Sequence, residues 1–178
     1  MSGGTLSWRA EISITMRVIF LDIDGVLNCK STPNPRKLPY IIDPSLLVRL
    51  KQLLTLTDAN VVLSSTWRYD PAGIFSAKYW GIPFFDVIPD LPERPRRDEI
   101  IAWLKAHPEV ERYVVIDDED DELDDLPLFQ PSARAGLSDE IVNGVVAYLT
   151  GRTDKDMRRS RLKRVFQNVY TAIKGHEG

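Results

Sequence analysis

The chain has 178 residues, a formal net charge of −3, 43% apolar and 28% charged residues, the profile of one globular domain with room for a core. That balance excludes a general electrostatic bias toward nucleic acid or membrane surfaces, and no apolar run approaches the roughly 20 residues of a bilayer span. Met1–Thr15 lacks the apolar segment of a signal peptide, and the single cysteine, Cys29, rules out an internal disulfide and suits a reducing cytoplasm.

Residues 1–15 carry no periodic pattern and are expected to form a flexible extension. Val18–Leu21 is a continuous apolar run, as a strand covered on both faces requires. It leads into Asp22-Ile23-Asp24-Gly25. Side chains two apart on a strand share a face, so Asp22 and Asp24 are expected to leave the strand end side by side. Two such anions repel, and a cation between them, or a split into nucleophile and acid, makes the pair tolerable. An acidic turn after a strand explains Asp24-Gly25 but not the aspartate before it.

Asn28 to Ile42 holds Pro33, Pro35 and Pro39 and reads as a long loop over the strand end, a lid too short to be a separate cap domain. Asp43-Pro44 supplies an N-cap and a proline at the first helical position. Leu46, Leu47, Leu50, Leu53 and Leu54 then keep helical spacing. Val61–Leu63 predicts the second strand, ending at Ser64-Ser65, and Asp70-Pro71 opens a helix that closes at Gly81. Phe84–Ile88 predicts a third strand, followed by a turn rich in proline and arginine through Arg97.

Ile100, Ile101, Trp103 and Leu104 mark the next helix, which Pro108 ends. Tyr113–Ile116 predicts a fourth strand running into Asp117-Asp118, and Leu128–Gln130 a short fifth. Ser138 caps a helix with Ile141, Val142, Val145, Val146 and Leu149 on one face, ended by Gly151. A capping box at Thr153 opens a last amphipathic segment carrying Arg158, Arg159, Arg161, Lys163 and Arg164, either a solvated face of a packed helix or an anchor for phosphates.

Alternating strand and helix signals predict an α/β fold with a parallel sheet of about five strands. Ligands bind beyond the carboxyl ends of such strands. Those ends offer Asp22 and Asp24, then Ser64 and Ser65, then Asp117 and Asp118, with Arg94, Arg96 and Arg97 in the neighbouring turn. Clustered carboxylates suit Mg²⁺, while hydroxyl and guanidinium groups suit phosphoryl oxygens. Singly, the serines read as a strand-to-loop turn, the later acids as a solvated loop and the arginines as surface; their convergence on one sheet edge favours phosphoryl transfer through an aspartate. Cys29 lacks the spacing to arginine and the glycine-rich cradle of a cysteine phosphatase, and His107 and His176 have no partner at zinc-ligand spacing.

Phe20-Leu-Asp22-Ile-Asp24-Gly25-Val, the Ser64-Ser65 strand end, the arginines before Asp98 and Val115-Ile-Asp117-Asp118 resemble the four motifs of the haloacid dehalogenase (HAD) superfamily, in its order, over residues 16–150. Leu63-Ser-Ser-Thr-Trp67-Arg68, Arg97-Asp-Glu-Ile-Ile-Ala-Trp103 and Ala135-Gly-Leu-Ser138 are similar to a short, cap-poor branch also found fused to RNA-repair enzymes. The resemblance implies a three-layer Rossmann-like fold with a minimal cap, and a catalytic domain over 16–150 with the basic helix of 151–178 packing on or extending from it.

It further implies that Asp22 attacks phosphorus and that Asp24 acts as acid and then base. Mg²⁺ would be held by Asp22, Asp24 through its carbonyl, Asp117 and Asp118. Ser65 or Ser64 would bind a phosphoryl oxygen, Ser65 preferred; Arg96 or Arg97 would be the basic residue, Arg96 preferred. Arginine there, where lysine is commoner, and valine after Gly25 depart from the usual pattern. The implied activity is hydrolysis of phosphomonoesters, with nucleotides or polynucleotide ends as favoured substrates and no membrane or obligate protein partner. The rivals are a sugar-phosphate phosphatase and a non-catalytic phospholigand or RNA-binding module.

Overall fold

The computed structural model describes residues 15–120 and 122–151. The expected N-terminal extension and the basic C-terminal helix lie outside the described residues, apart from Thr15 and Gly151.

In chain order the elements are β1 (Met16–Leu21), α1 (Pro44–Thr57), β2 (Asn60–Leu63), a 3₁₀ turn (Thr66–Tyr69), α2 (Pro71–Trp80), β3 (Phe84–Val87), α3 (Arg96–Ala106), β4 (Val110–Ile116), β5 (Leu128–Phe129) and α4 (Asp139–Thr150). The strands form one parallel sheet of five in the order β3-β2-β1-β4-β5. From β1 the chain steps outward through β2 to β3, crosses back by α3 and continues on the other side of β1. The order therefore reverses between β1 and β4, where a parallel sheet opens a crevice at its carboxyl edge.

Strand alternation sorts the core into two layers. Ile19, Leu21, Val61, Leu63, Val114 and Ile116 pack with α1, α2 and α4 through Leu46, Leu50, Leu53, Ala77, Val145 and Leu149. Val18, Phe20, Val62 and Val115 face the other way, toward Ile100 and Trp103 of α3 and toward Leu123 and Leu126. Phe20 meets Trp103 edge-on, with ring centroids 5.4 Å apart.

The helix ends follow from local chemistry. Asp43 accepts from the Ser45 N–H at 2.9 Å and Asp70 from the Ala72 N–H at 2.8 Å, each with proline next in the chain. Ser138 accepts from the Ile141 N–H at 3.3 Å. Gly81 and Gly151 close α2 and α4 in the left-handed conformation that glycine adopts without a Cβ penalty. α1 instead closes on Asp58 at φ 54°, a type of residue that tolerates this region through its short polar side chain.

The pattern understated β1, β2 and β4 and the start of α3. β4 starts at Val110 rather than Tyr113 because its first residues pair with β1 at the sheet's lower edge. α3 begins at Arg96, so Arg96 and Arg97 form its first turn rather than the preceding loop. The 28–42 segment is tied down at several points: Tyr40 packs on Trp67 at 4.9 Å between centroids and hydrogen-bonds Asp70, and Trp80 Nε1 donates to the Tyr40 carbonyl at 3.3 Å.

Leu50 is fully buried between α1 and the sheet. Leu50→Ala is expected to lower unfolding free energy by about 2–5 kcal/mol and Asp43→Ala by about 1 kcal/mol, read as shifts of the urea midpoint at constant slope. A larger loss for Asp43→Ala would contradict this packing.

Candidate active site

The sheet register places Leu21 level with Leu63 on one side and Ile116 on the other. The next residues of the three strands, Asp22, Ser64 and Asp117, therefore emerge in one row at the reversal of strand order. Asp22 N–H donates to the Ile116 carbonyl at 3.0 Å and Ser64 N–H to the Leu21 carbonyl at 3.0 Å, so the row is fixed by the ladder itself. Asp22 is 6% exposed and Asp117 is fully buried.

Asp22, Asp117 and Asp118 each bring a carboxylate oxygen within 4.8 Å of the others. Burial, and then the charge of Asp117, push the Asp22 carboxyl up to about 7, while Arg96, the Ser65 hydroxyl and the Ile23 N–H pull it down. Asp117 is also raised, by burial first, against the lowering influence of Arg96. Asp118 is raised by burial, with Glu119 and Asp24 adding repulsion. Three carboxyl groups whose anionic forms are all disfavoured by position are a donor set that a divalent cation would satisfy, and their hard oxygens match Mg²⁺. Gly25 completes the fit: at φ +73° it turns the chain past Asp118, and a Cβ there would run into the Asp118 carboxylate.

Asp24 stands apart from that trio. β1 ends at Leu21, before either aspartate, so strand alternation does not carry on to Asp24. Its carboxylate accepts from Trp67 Nε1 at 2.8 Å and from Asn28 Nδ2 at 2.7 Å. Asn28 in turn accepts from the Gly25 N–H at 3.1 Å and donates to the Ile41 carbonyl at 3.0 Å. One asparagine thus fixes the turn, the acid and the loop behind it.

The two arginines separate. Arg96 pairs with Asp117 and lines the cleft. Arg97 lies along Asp125, donating from Nε at 2.8 Å, and also pairs with Asp98; it does not line the cleft. The serines are both fully buried. Ser65 hydrogen-bonds Asp22 and accepts from the Trp67 N–H at 3.4 Å, whereas Ser64 Oγ is buried without a partner among the described residues. The hydroxyl on the wall of the cleft is that of Thr66.

This cleft, about 460 Å³, is also lined by Asn28 and Lys30. Neither these nor Thr66 stood out in the sequence. Asn28, four residues after Asp24, was the only one carrying a local signal, as a turn residue able to bond its own loop.

A family model described as the HAD domain in Swiss Army Knife RNA repair proteins matches residues 18–142. No curated protein and no solved structure matches the chain.

The folded Asp22 carboxyl titrates near 7 against 3.8 for its ordinary value. Its contribution to folding is therefore complete below about pH 4 and is lost as pH rises through 7. With metal chelated, stability is expected to fall by a few kcal/mol from pH 5 to pH 8, and Asp22→Asn to flatten that slope in urea titrations. An unchanged slope in the variant would remove Asp22 as its source.

Proposed function

The chain belongs to the HAD superfamily, in the group of HAD domains found in Swiss Army Knife RNA repair proteins, and from that premise we propose that it is a Mg²⁺-dependent phosphomonoesterase working through an aspartyl-phosphate. The observation that carries this reading is the meeting of Asp22, Asp117 and Asp118 within 4.8 Å at the reversal of strand order. Nucleotides or polynucleotide ends are the favoured substrates, because the described residues form no separate cap domain over the cleft and the family is named for RNA repair.

Asp22, Asp117 and Asp118 would hold the metal, with the Asp24 carbonyl as a further ligand. When bound, Mg²⁺ supplies the positive charge that lets an anionic carboxylate approach an anionic phosphoryl group. Asp22 forms the new bond to phosphorus as the ester P–O bond breaks. Asp24 gives its proton to the departing alkoxide. Its carboxylate, held by Trp67 and Asn28, then takes a proton from water. That water attacks phosphorus, releasing inorganic phosphate and restoring both aspartates.

Arg96 holds Asp117 in place and is the cation facing the phosphoryl oxygens, in the role lysine more often takes. Thr66, on the wall, supplies a hydroxyl donor, and Ser65, buried behind it, hydrogen-bonds the Asp22 carboxylate. Arg97 braces the 117–125 loop through Asp125 and takes no part in phosphate binding.

Asp24→Asn is expected to lower kcat by roughly 10²–10⁴-fold, the usual worth of general acid–base catalysis. Asp22→Asn is expected to abolish turnover and the alkali-labile phosphoryl adduct seen by mass spectrometry after rapid quench in acid. Chelation with EDTA should stop wild-type hydrolysis, and added Mg²⁺ should restore it. Equal turnover by wild type and Asp22→Asn would refute the mechanism.

A further inference from the structure

A second cleft of about 310 Å³ adjoins the first, sharing Thr66 and Arg96 with it. It runs between the 3₁₀ turn and the start of α3. Tyr69 and Arg94 stand on its walls, and Tyr69 borders a third hollow of about 570 Å³ farther along. The three hollows share wall residues in succession, leading from Asp22 past an aromatic ring and an arginine.

The ring of Tyr69 is fixed and half open. The Arg68 guanidinium carbon lies 4.1 Å from its centroid. Its hydroxyl accepts from Arg68 and donates to Glu99 at 3.3 Å. Arg68 and Glu99 are themselves a buried ion pair, with side chains 3% and 2% exposed, and Arg68 Nε is buried with no partner among the described residues. Glu99 also accepts from the Leu91 N–H at 3.0 Å, tying the loop before α3 into the same network. Two buried charges therefore hold an aromatic ring that remains 51% exposed.

The Arg94 side chain is 67% exposed, and its ion-pair partner among the described residues is Asp98, four residues on, at 3.5 Å. Such an exposed pair is weak, so the guanidinium is available to an anion. Glu122 on the same cleft discourages phosphate on its own side. A rigid aromatic face beside an arginine, one step from a phosphoryl site, is the pairing by which single-stranded nucleic acid is held: base on ring, backbone phosphate on cation. Glycerol phosphate, with neither a base nor a second phosphate, would leave both the ring and Arg94 unused.

We infer that this groove binds the terminal nucleoside of a phosphorylated oligonucleotide, its base stacked on Tyr69 and its next phosphate on Arg94, an assignment that rests on the hydrolytic reading above and names its substrate. Stacking of one base is commonly worth a factor of ten or more on alanine substitution. The contacts depend on ring and charge, not on base identity, so sequence preference should be slight.

The test compares kcat/KM for short single-stranded oligonucleotides phosphorylated at the 5′ or the 3′ end with kcat/KM for glycerol phosphate. Tyr69→Ala should lower the oligonucleotide-to-glycerol-phosphate ratio about tenfold or more, and Tyr69→Phe and Tyr69→Trp should retain it. Arg94→Ala should lower the same ratio and reduce the salt dependence of oligonucleotide binding, measured by fluorescence anisotropy on Asp22→Asn. Tyr79→Ala, at an exposed aromatic on α2, is the control and should leave the ratio alone. An unchanged ratio in Tyr69→Ala, or an equal loss in Tyr69→Phe, would overturn the assignment. Wild type inactive on every ester would instead overturn the hydrolytic reading, while anisotropy would still report on the groove.

Discussion

Repulsion among carboxylates at the mouth of the sheet is the constraint on which the rest of this structure turns. Asp22 and Asp117 are among the few buried charged residues described, and each directly follows one of two adjacent strands whose hydrogen-bond ladder holds them side by side. Burying like charges this close costs far more than any nearby surface pair returns. Arg96 offsets part of that cost from the first turn of α3, and the Ser65 hydroxyl and the Ile23 N–H offset a little more. The remainder keeps all three acids reluctant to ionise. The fold thus stores an electrostatic deficit at one point, of the sign that a divalent cation relieves.

The architecture exists to hold that deficit in register. Apolar strands covered on both faces make the centre of the sheet stiff, and the reversal between β1 and β4 opens a crevice above it. Each surrounding segment then contributes one group with a second tie behind it. Asp24 is tied by Asn28 and Trp67, and the 3₁₀ turn is tied to α3 through Arg68 and Glu99. The groove past Tyr69 follows from the same tie. The ion pair that positions Ser65 and the start of α3 through Ser65's carbonyl also props the ring at the groove's edge.

Much of this was legible in the chain because it depends on short-range chemistry. Asp43-Pro44, Asp70-Pro71 and Gly81 mark helix ends by capping, and unbroken apolar runs mark β1 and β2. The convergence of Asp22 with Asp117 followed from parallel strands alone. Other features depend on contacts far apart in sequence. Nothing local separates Arg96 from Arg97; the difference lies in whether Asp117 or Asp125 is within reach. Strand alternation placed Asp24 beside Asp22, but β1 stops at Leu21 and Trp67, forty-three residues on, decides where that carboxylate rests. Ser65 and Thr66 likewise look alike as text, and only the 3₁₀ turn buries one and exposes the other.

The central claim is that one divalent ion belongs among the acids of β1 and β4. Crystals of the protein grown with Mn²⁺ in place of Mg²⁺, measured at the manganese absorption edge, would locate that ion by its anomalous scattering. The account predicts a single strong peak within coordination distance of Asp22 and Asp117 carboxylate oxygens. Full occupancy elsewhere, with no peak between those two residues, would contradict it.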